Sequence, residues 1–166
     1  MTTLTGSGLD LTDAHDCLVE SCVFHDISGS GIQIGLFSDP LTTTDHNNTI
    51  NNTIVKKAAA EFSGAVGINV GYTIGTTITH NDVYDLTYAA ISVGWGWSGA
   101  GATDIAGWAT IAYNKVHDYK QTLNDGGGIY MLGKQNGSQI FRNHVYVKSL
   151  CCHYWFAVTA ACVFPI

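Results

Sequence analysis

Short runs of alternating apolar and polar residues recur along this chain, each bounded by glycine. Gly31-Ile32-Gln33-Ile34-Gly35 is followed by Gly67-Ile68-Asn69-Val70-Gly71 and then by Ala90-Ile91-Ser92-Val93-Gly94. A fourth copy reads Gly128-Ile129-Tyr130-Met131 with Gly133 closing it, and Leu9-Asp10-Leu11 is an earlier one. Alternation over so few residues predicts strands with one buried face, and the glycines allow the bends between them. No long stretch carries an apolar period of 3.6 residues, so helices are not expected.

A second pattern lies between these copies: an apolar residue, a polar one three places on, and another apolar residue two places later. It reads Val19/Cys22/Phe24, Thr49/Asn52/Ile54, Ile78/Asn81/Val83, Ile111/Asn114/Val116 and Ile140/Asn143/Val145. The closing members advance by 30, 29, 33 and 29 residues, and the second segment is the weakest fit, where a shift of one residue is allowed. A unit of about thirty residues holding two strand motifs cannot bury an apolar face alone, but stacked copies can. The fold predicted is all-β, a right-handed parallel β-helix of about five coils within a longer stack. Equivalent positions then form columns at about 4.8 Å per coil. Asn52, Asn81, Asn114 and Asn143 are expected in one such column, each side-chain amide donating to one neighbour and accepting from the other. Cys22 would end that ladder. Helical arrays of similar period lack these β-branched strands and are excluded.

Composition narrows the class. Of 166 residues only 12% are charged, and the formal net charge is -6 with no basic stripe, so nucleic acid is not an expected partner. Five cysteines, Cys17, Cys22, Cys151, Cys152 and Cys162, form no CxxC pair and cannot all be paired. Cys17 and Cys22 are expected as small buried side chains. Met1 leads almost directly into repeat-like sequence with no apolar leader segment, which predicts a fragment whose upstream coils are missing. Residues 1–148 form the repeat domain. From Ser149 the composition changes: 149–166 has no Gly, Asn or acid and holds three of the cysteines. Eighteen largely apolar residues reach the threshold of a membrane span, yet His153, Pro165 and the lack of flanking charge argue against one. This tail is expected to stand outside the native solenoid.

The acids are patterned. Asp26, Asp85 and Asp118 each stand two residues after the apolar residue that closes the second pattern, with Lys56 taking that place in the second coil. Asp85 and Asp118 should therefore stack on consecutive coils at roughly 5 Å, near the separation of a retaining glycosidase pair. Carboxylates so close also split their pKa values into an acid and a base. The structural alternative is that these Asp cap turns. Asp125 precedes Gly126-Gly127-Gly128, a run with no packing value of its own that would let a ligand approach the backbone, which makes it the preferred catalytic residue, with the roles of acid and base left open. Gly94-Trp95-Gly96-Trp97-Ser98 opens a Gly-rich loop, and Trp95 and Trp97 are read as stacking faces for sugar rings. Tyr72, Tyr88 and Tyr130 lie beside strand ends and extend that surface.

Ala90-Ile91-Ser92-Val93-Gly94-Trp95-Gly96-Trp97, followed by Asp125-Gly126-Gly127-Gly128-Ile129-Tyr130, resembles the β-helix proteins of glycoside hydrolase family 141, in the pectate-lyase-like superfamily. Phe24-His25-Asp26-Ile27-Ser28-Gly29-Ser30-Gly31-Ile32 resembles them as well, and the likeness spans roughly residues 8–147. It implies a secreted or cell-surface hydrolase of plant or microbial polysaccharide, and the aromatic pattern offers Trp95, Trp97, Tyr88 and Tyr130 as its substrate-binding residues. A pair of Asp would act as catalysts: Asp85 and Asp125, with Asp118 in reserve. No cofactor or metal is implied, and a monomer is expected. Two other readings stand beside it. A pectate-type polysaccharide lyase would need Ca²⁺ and a basic residue, and an acidic protein attracts uronates poorly. A non-catalytic glycan-binding surface protein would keep the Trp loop and tolerate loss of Asp85 and Asp125. Asn47, Asn51 and Asn136 sit in N-x-Ser/Thr sequons, which matter only in a eukaryotic secretory setting.

Overall fold

A computed structural model of the chain describes residues 6–96, 105–147 and the strand Ala161–Cys162. Every regular element among them is a short strand. Leu9–Leu11 (β1) opens the stack. The first full coil contributes Leu18–Glu20 (β2), Val23–His25 (β3) and Ile32–Ile34 (β4), and the second Thr49–Asn51 (β5), Ile54–Lys56 (β6) and Ile68–Val70 (β7). The third holds Thr77–Thr79 (β8), Asp82–Tyr84 (β9) and Ile91–Val93 (β10), and the fourth Thr110–Ala112 (β11), Lys115–His117 (β12) and Ile129–Met131 (β13). Gln139–Phe141 (β14), His144–Tyr146 (β15) and Ala161–Cys162 (β16) follow.

These strands make three wholly parallel sheets. The first orders β1-β4-β7-β10-β13-β16, the second β14-β11-β8-β5-β2, and the third β15-β12-β9-β6-β3. Each strand thus pairs with its equivalent one turn away, which is the topology of a parallel β-helix of about five coils. In every three-residue strand of the first sheet the outer two side chains point inward, because successive side chains alternate across a strand. Ile32, Ile34, Ile68, Val70, Ile91, Val93, Ile129 and Met131 stack there as buried rows. In the other two sheets the middle residue points inward, giving the rows Val19, Ile50, Ile78, Ile111 and Val55, Val83, Val116. Each fully buried Ile or Val contributes about 1.5–3 kcal/mol.

The corners between sheets explain much of the polar composition. Asp16, Asn47, Gly75, Trp108 and Gly137 form one corner column, and Ser21, Asn52, His80, Tyr113 and Arg142 a second. Asp26, Lys57, Asp85 and Asp118 form the third, between the third and first sheets. All fourteen carry a positive φ, between 49° and 73°, in the left-handed region. That conformation costs most L-residues about 1–2 kcal/mol and is adopted most readily by Gly, Asn and Asp. The stack holds it in place, since corner amides bond the next coil: Asp16 N–H donates to His46 O at 3.0 Å, and Asn52 N–H to Thr79 O at 3.1 Å. The register places Lys57, not Lys56, in the Asp column.

The polar ladder also differs from expectation by one residue. Its column is Cys22, Thr53, Asn81, Asn114 and Asn143. Thr53 N–H donates to Asn81 Oδ1 at 2.9 Å, Asn81 N–H to Asn114 Oδ1 at 3.0 Å, and Asn114 N–H to Asn143 Oδ1 at 2.9 Å. Asn52 is not in the ladder. It occupies the neighbouring corner, exposed, and its Nδ2 donates to Ser21 Oγ at 3.0 Å. Three further expectations are corrected. Cys22 is exposed and Cys17 half-buried, because both lie on the first full coil, near the end of the stack. Tyr72 is buried rather than part of a surface. Gly126 and Gly128 do have packing reasons. Gly126 has φ +83 and lies under the Tyr88 ring, where a Cβ would come within 3.1 Å, and at Gly128 a Cβ would meet Val145 Cγ1 at 2.6 Å. In the tail, the strand Ala161–Cys162 pairs with Tyr130–Met131. Among the described residues no helix is long and apolar enough to cross a membrane.

Candidate functional site

The middle residues of the first sheet's strands point outward and form a polar row: Asp10, Gln33, Asn69, Ser92 and Tyr130. Gln33 Nε2 donates to Asp10 Oδ2 at 3.2 Å. Ser92 is buried, and Asn69 holds a buried Oδ1 with no hydrogen-bond partner. A buried acceptor left unpaired in this way is costly and is stabilised by whatever donor reaches it. The row is flanked at both strand ends by loops that carry aromatic residues.

On the side where the strands begin stand Tyr88 and Asp125. Burial pushes the Tyr88 phenol above its usual range, and the Asp125 charge and a hydrogen bond to Asp125 add to the shift. Burial likewise raises Tyr130, with Asp125 and Tyr88 as further causes. The three groups therefore share one neighbourhood, with the phenol of Tyr88 donating to the Asp125 carboxylate. Asp125 Oδ1 also accepts from the amide of Gly126 at 2.7 Å, and Lys120 Nζ donates to Gly126 O at 3.3 Å. On the side where the strands end, Trp95 follows β10 and is exposed, with Phe37 packed edge-on at 5.3 Å between ring centres. Trp97 lies outside the described residues.

Asp85 and Asp118 do stack on consecutive coils, at the left-handed corner leading toward the first sheet. Each is engaged. Asp85 Oδ1 accepts from Gln121 Nε2 at 3.0 Å, and the same amide nitrogen reaches Asp118 O at 2.9 Å. Asp118 Oδ2 lies 2.9 Å from His117 Nδ1, while His117 Nε2 lies 3.1 Å from Asp82 Oδ1. The buried His117 ring is sandwiched between Tyr84 and Tyr146, at 4.7 and 5.1 Å. The left-handed backbone by itself accounts for Asp at these two positions. Asp125 has no such corner to fill.

Sequence reasoning overlooked the floor residues Gln33, Asn69 and Ser92, the Phe37 partner of Trp95, and the His117 and Asp82 side chains linked to Asp118. The floor was within reach: it is the variable letter of the Gly-Ile-x-Val-Gly motif, which must face outward once its neighbours face in. The His117 group depends on register across a gap of 35 residues and has no local signal.

No protein-family model matches the chain, and no curated protein does. A solved structure described as a glycoside hydrolase is similar, with a TM-score of 0.79 and 27% identity. The match covers 87% of this chain and 27% of that one, so the chain spans little more than a quarter of that protein's length.

Proposed function

We propose that this β-helix is a carbohydrate-active protein that hydrolyses a polysaccharide across the outer face of its first sheet, outside the cell or at its surface. The observation that carries the reading is one carboxylate, Asp125, held with Tyr88 and Tyr130 at the edge of a polar floor, opposite the exposed Trp95. Sugars are recognised by hydroxyl-binding polar groups together with flat aromatic faces, and the floor and its rims supply both. The likeness to a protein described as a glycoside hydrolase supports the same class. Glycoside hydrolysis uses two carboxyl groups flanking one bond. Asp125 is the first, and Asp85, from the preceding coil, is the second, with Asp118 as the alternative. Gln121 ties the Asp85 corner to the segment that leads to Asp125.

The test is hydrolysis of a panel of plant and microbial polysaccharides by the protein and by Asp125→Asn, Asp85→Asn and Asp118→Asn, with circular dichroism to confirm folding. Asp125→Asn should lower kcat by orders of magnitude, Asp85→Asn should do the same, and Trp95→Ala should chiefly raise KM. Near-unchanged hydrolysis in Asp125→Asn refutes the assignment. The corner positions of Asp85 and Asp118 favour a second reading, a glycan-binding surface without catalysis. It predicts glycan binding that is lost in Trp95→Ala, no product, and indifference to Asp85→Asn.

A further inference from the structure

The first and second coils meet at a corner that carries an unusual set of side chains. His15 and His46 occupy equivalent positions in successive turns, joined by an isolated parallel bridge. Their imidazole rings stack at 4.8 Å with only 15° between planes. Asp16 follows His15 in the left-handed corner, φ 55, which turns its carboxylate back onto the ring, and its Oδ2 lies 3.0 Å from His15 Nδ1. One donor atom from each of these three residues lies within 4.8 Å of the others.

We propose that His15, Asp16 and His46 form a binding site for a divalent transition metal, which clips the first full coil to the second. Two imidazole nitrogens and one carboxylate oxygen form the borderline donor set that suits Zn²⁺, Ni²⁺ or Cu²⁺, not the all-oxygen shell that Ca²⁺ or Mg²⁺ requires. Bonds of about 2.0–2.2 Å to Zn²⁺ bring such donors to somewhat over 3 Å apart. The His15–Asp16 pair, at 3.0 Å, is close to that spacing, so closure needs a slight opening of this pair and a side-chain movement of His46 toward it. The side chains of His15 and Asp16 are 59% and 62% exposed, so they rotate without disturbing the core. The support behind the ligands is built in as well. Asn47, which stands above Asp16 in the corner column, donates Nδ2 to Asp16 Oδ1 at 3.1 Å and leaves Oδ2 for the ion. Metal-ligating carboxylates are commonly oriented by a hydrogen bond of this kind. The set is confined to this pair of coils: further along the bridge column stand Ile74, Gly107 and Asn136. The site lies at the corner that enters the second sheet, so it is independent of the proposed glycan groove.

A neighbouring corner offers an internal control. His25 Nδ1 lies 2.7 Å from Asp26 Oδ2, a similar His–Asp pair, but Lys56 takes the place in the second coil that a second imidazole would need. The experiment is calorimetric titration of ZnCl₂ into tag-free, chelator-treated protein, with CoCl₂ absorption spectra to report ligand number and type. Saturable binding of one ion is expected, with a melting temperature that rises with ZnCl₂ and no response to CaCl₂. His15→Ala and His46→Ala should each weaken binding more than tenfold and abolish the thermal shift. Asn47→Ala should weaken it about tenfold through the carboxylate it orients, and His25→Ala should leave it unchanged. Absence of saturable Zn²⁺ binding to the wild-type protein overturns the proposal, as does a His46→Ala variant that binds as tightly as the parent.

Discussion

Replacing Asn114 by Ala tests whether the amide ladder, and not only the apolar rows, holds successive coils in register. The Asn114 side chain is buried and serves both neighbours at once. Its Oδ1 accepts from Asn81 N–H at 3.0 Å and Asn81 Nδ2 at 2.9 Å. Its Nδ2 donates to Ile78 O at 2.9 Å and Asn143 Oδ1 at 3.0 Å. Truncation leaves the buried Asn81 N–H without its acceptor and Ile78 O without this donor. Asn81 Nδ2 keeps Ile50 O, and Asn143 Oδ1 keeps the Asn114 amide. A buried polar group stripped of its partner costs about 1–3 kcal/mol, so two such groups predict a loss of about 2–6 kcal/mol. Against a total stability of about 5–15 kcal/mol that is a large fraction, and at about 2–4 °C per kcal/mol it corresponds to a fall in Tm of roughly 4–24 °C. The matched control is Asn52→Ala, which removes one exposed hydrogen bond and an Asn from a left-handed corner, for about 1 kcal/mol. Urea unfolding followed by circular dichroism gives both values. If Asn52→Ala costs as much as Asn114→Ala, or if Asn114→Ala costs less than about 1 kcal/mol, the ladder argument fails.

Gly67→Ala should destabilise by about 1–3 kcal/mol, because the added Cβ would lie 2.6 Å from Ala90 O and 2.9 Å from Leu86 Cδ1 and Val83 Cγ1. Gly64→Ala, where a Cβ meets nothing within 4 Å, should be neutral or slightly stabilising in the same melt. The phenols of Tyr88, Tyr119 and Tyr130 are all raised above 10.0, with burial the largest cause in each. A raised folded-state pKa means that the unfolded chain gives up its protons first. This part of the stability is therefore complete below pH 10 and declines as pH climbs past it, which a urea midpoint measured across the alkaline range will follow. Tyr88→Phe should make that decline shallower, and an unchanged slope would show that Tyr88 ionises no later in the folded protein than in the unfolded one.

Much of the architecture was legible from local pattern. Alternating residues between glycines located the strands of the first sheet, and the thirty-residue spacing implied stacking, because a short strand with one apolar face has nowhere to bury it except against its own copies. Where local pattern was degenerate, reading failed. Asn51-Asn52-Thr53 offers two Asn to a ladder that admits one residue, and the chain puts Thr53 there, since Ile50 and Val55 must both face inward. The same one-residue slip moves Lys57 into the corner that Lys56 was expected to fill. The Gly126-Gly127-Gly128 run looked free for a ligand because its two occupants, the rings of Tyr88 and Tyr119, come from other parts of the coils.

Sequence alone therefore determined the strands of the first sheet, the repeat, the parallel β-helix and the existence of a polar ladder, all of which follow from periodicity and from the need to bury apolar rows. Tertiary structure alone decided which polar residues meet across coils: Asp125 with Tyr88, His117 between Asp82 and Asp118, and His15 over His46. Most of these partners come from different coils, tens of residues apart in the chain. Whether they face one another depends on register and on corner geometry, which loops of unequal length set and which no local window contains.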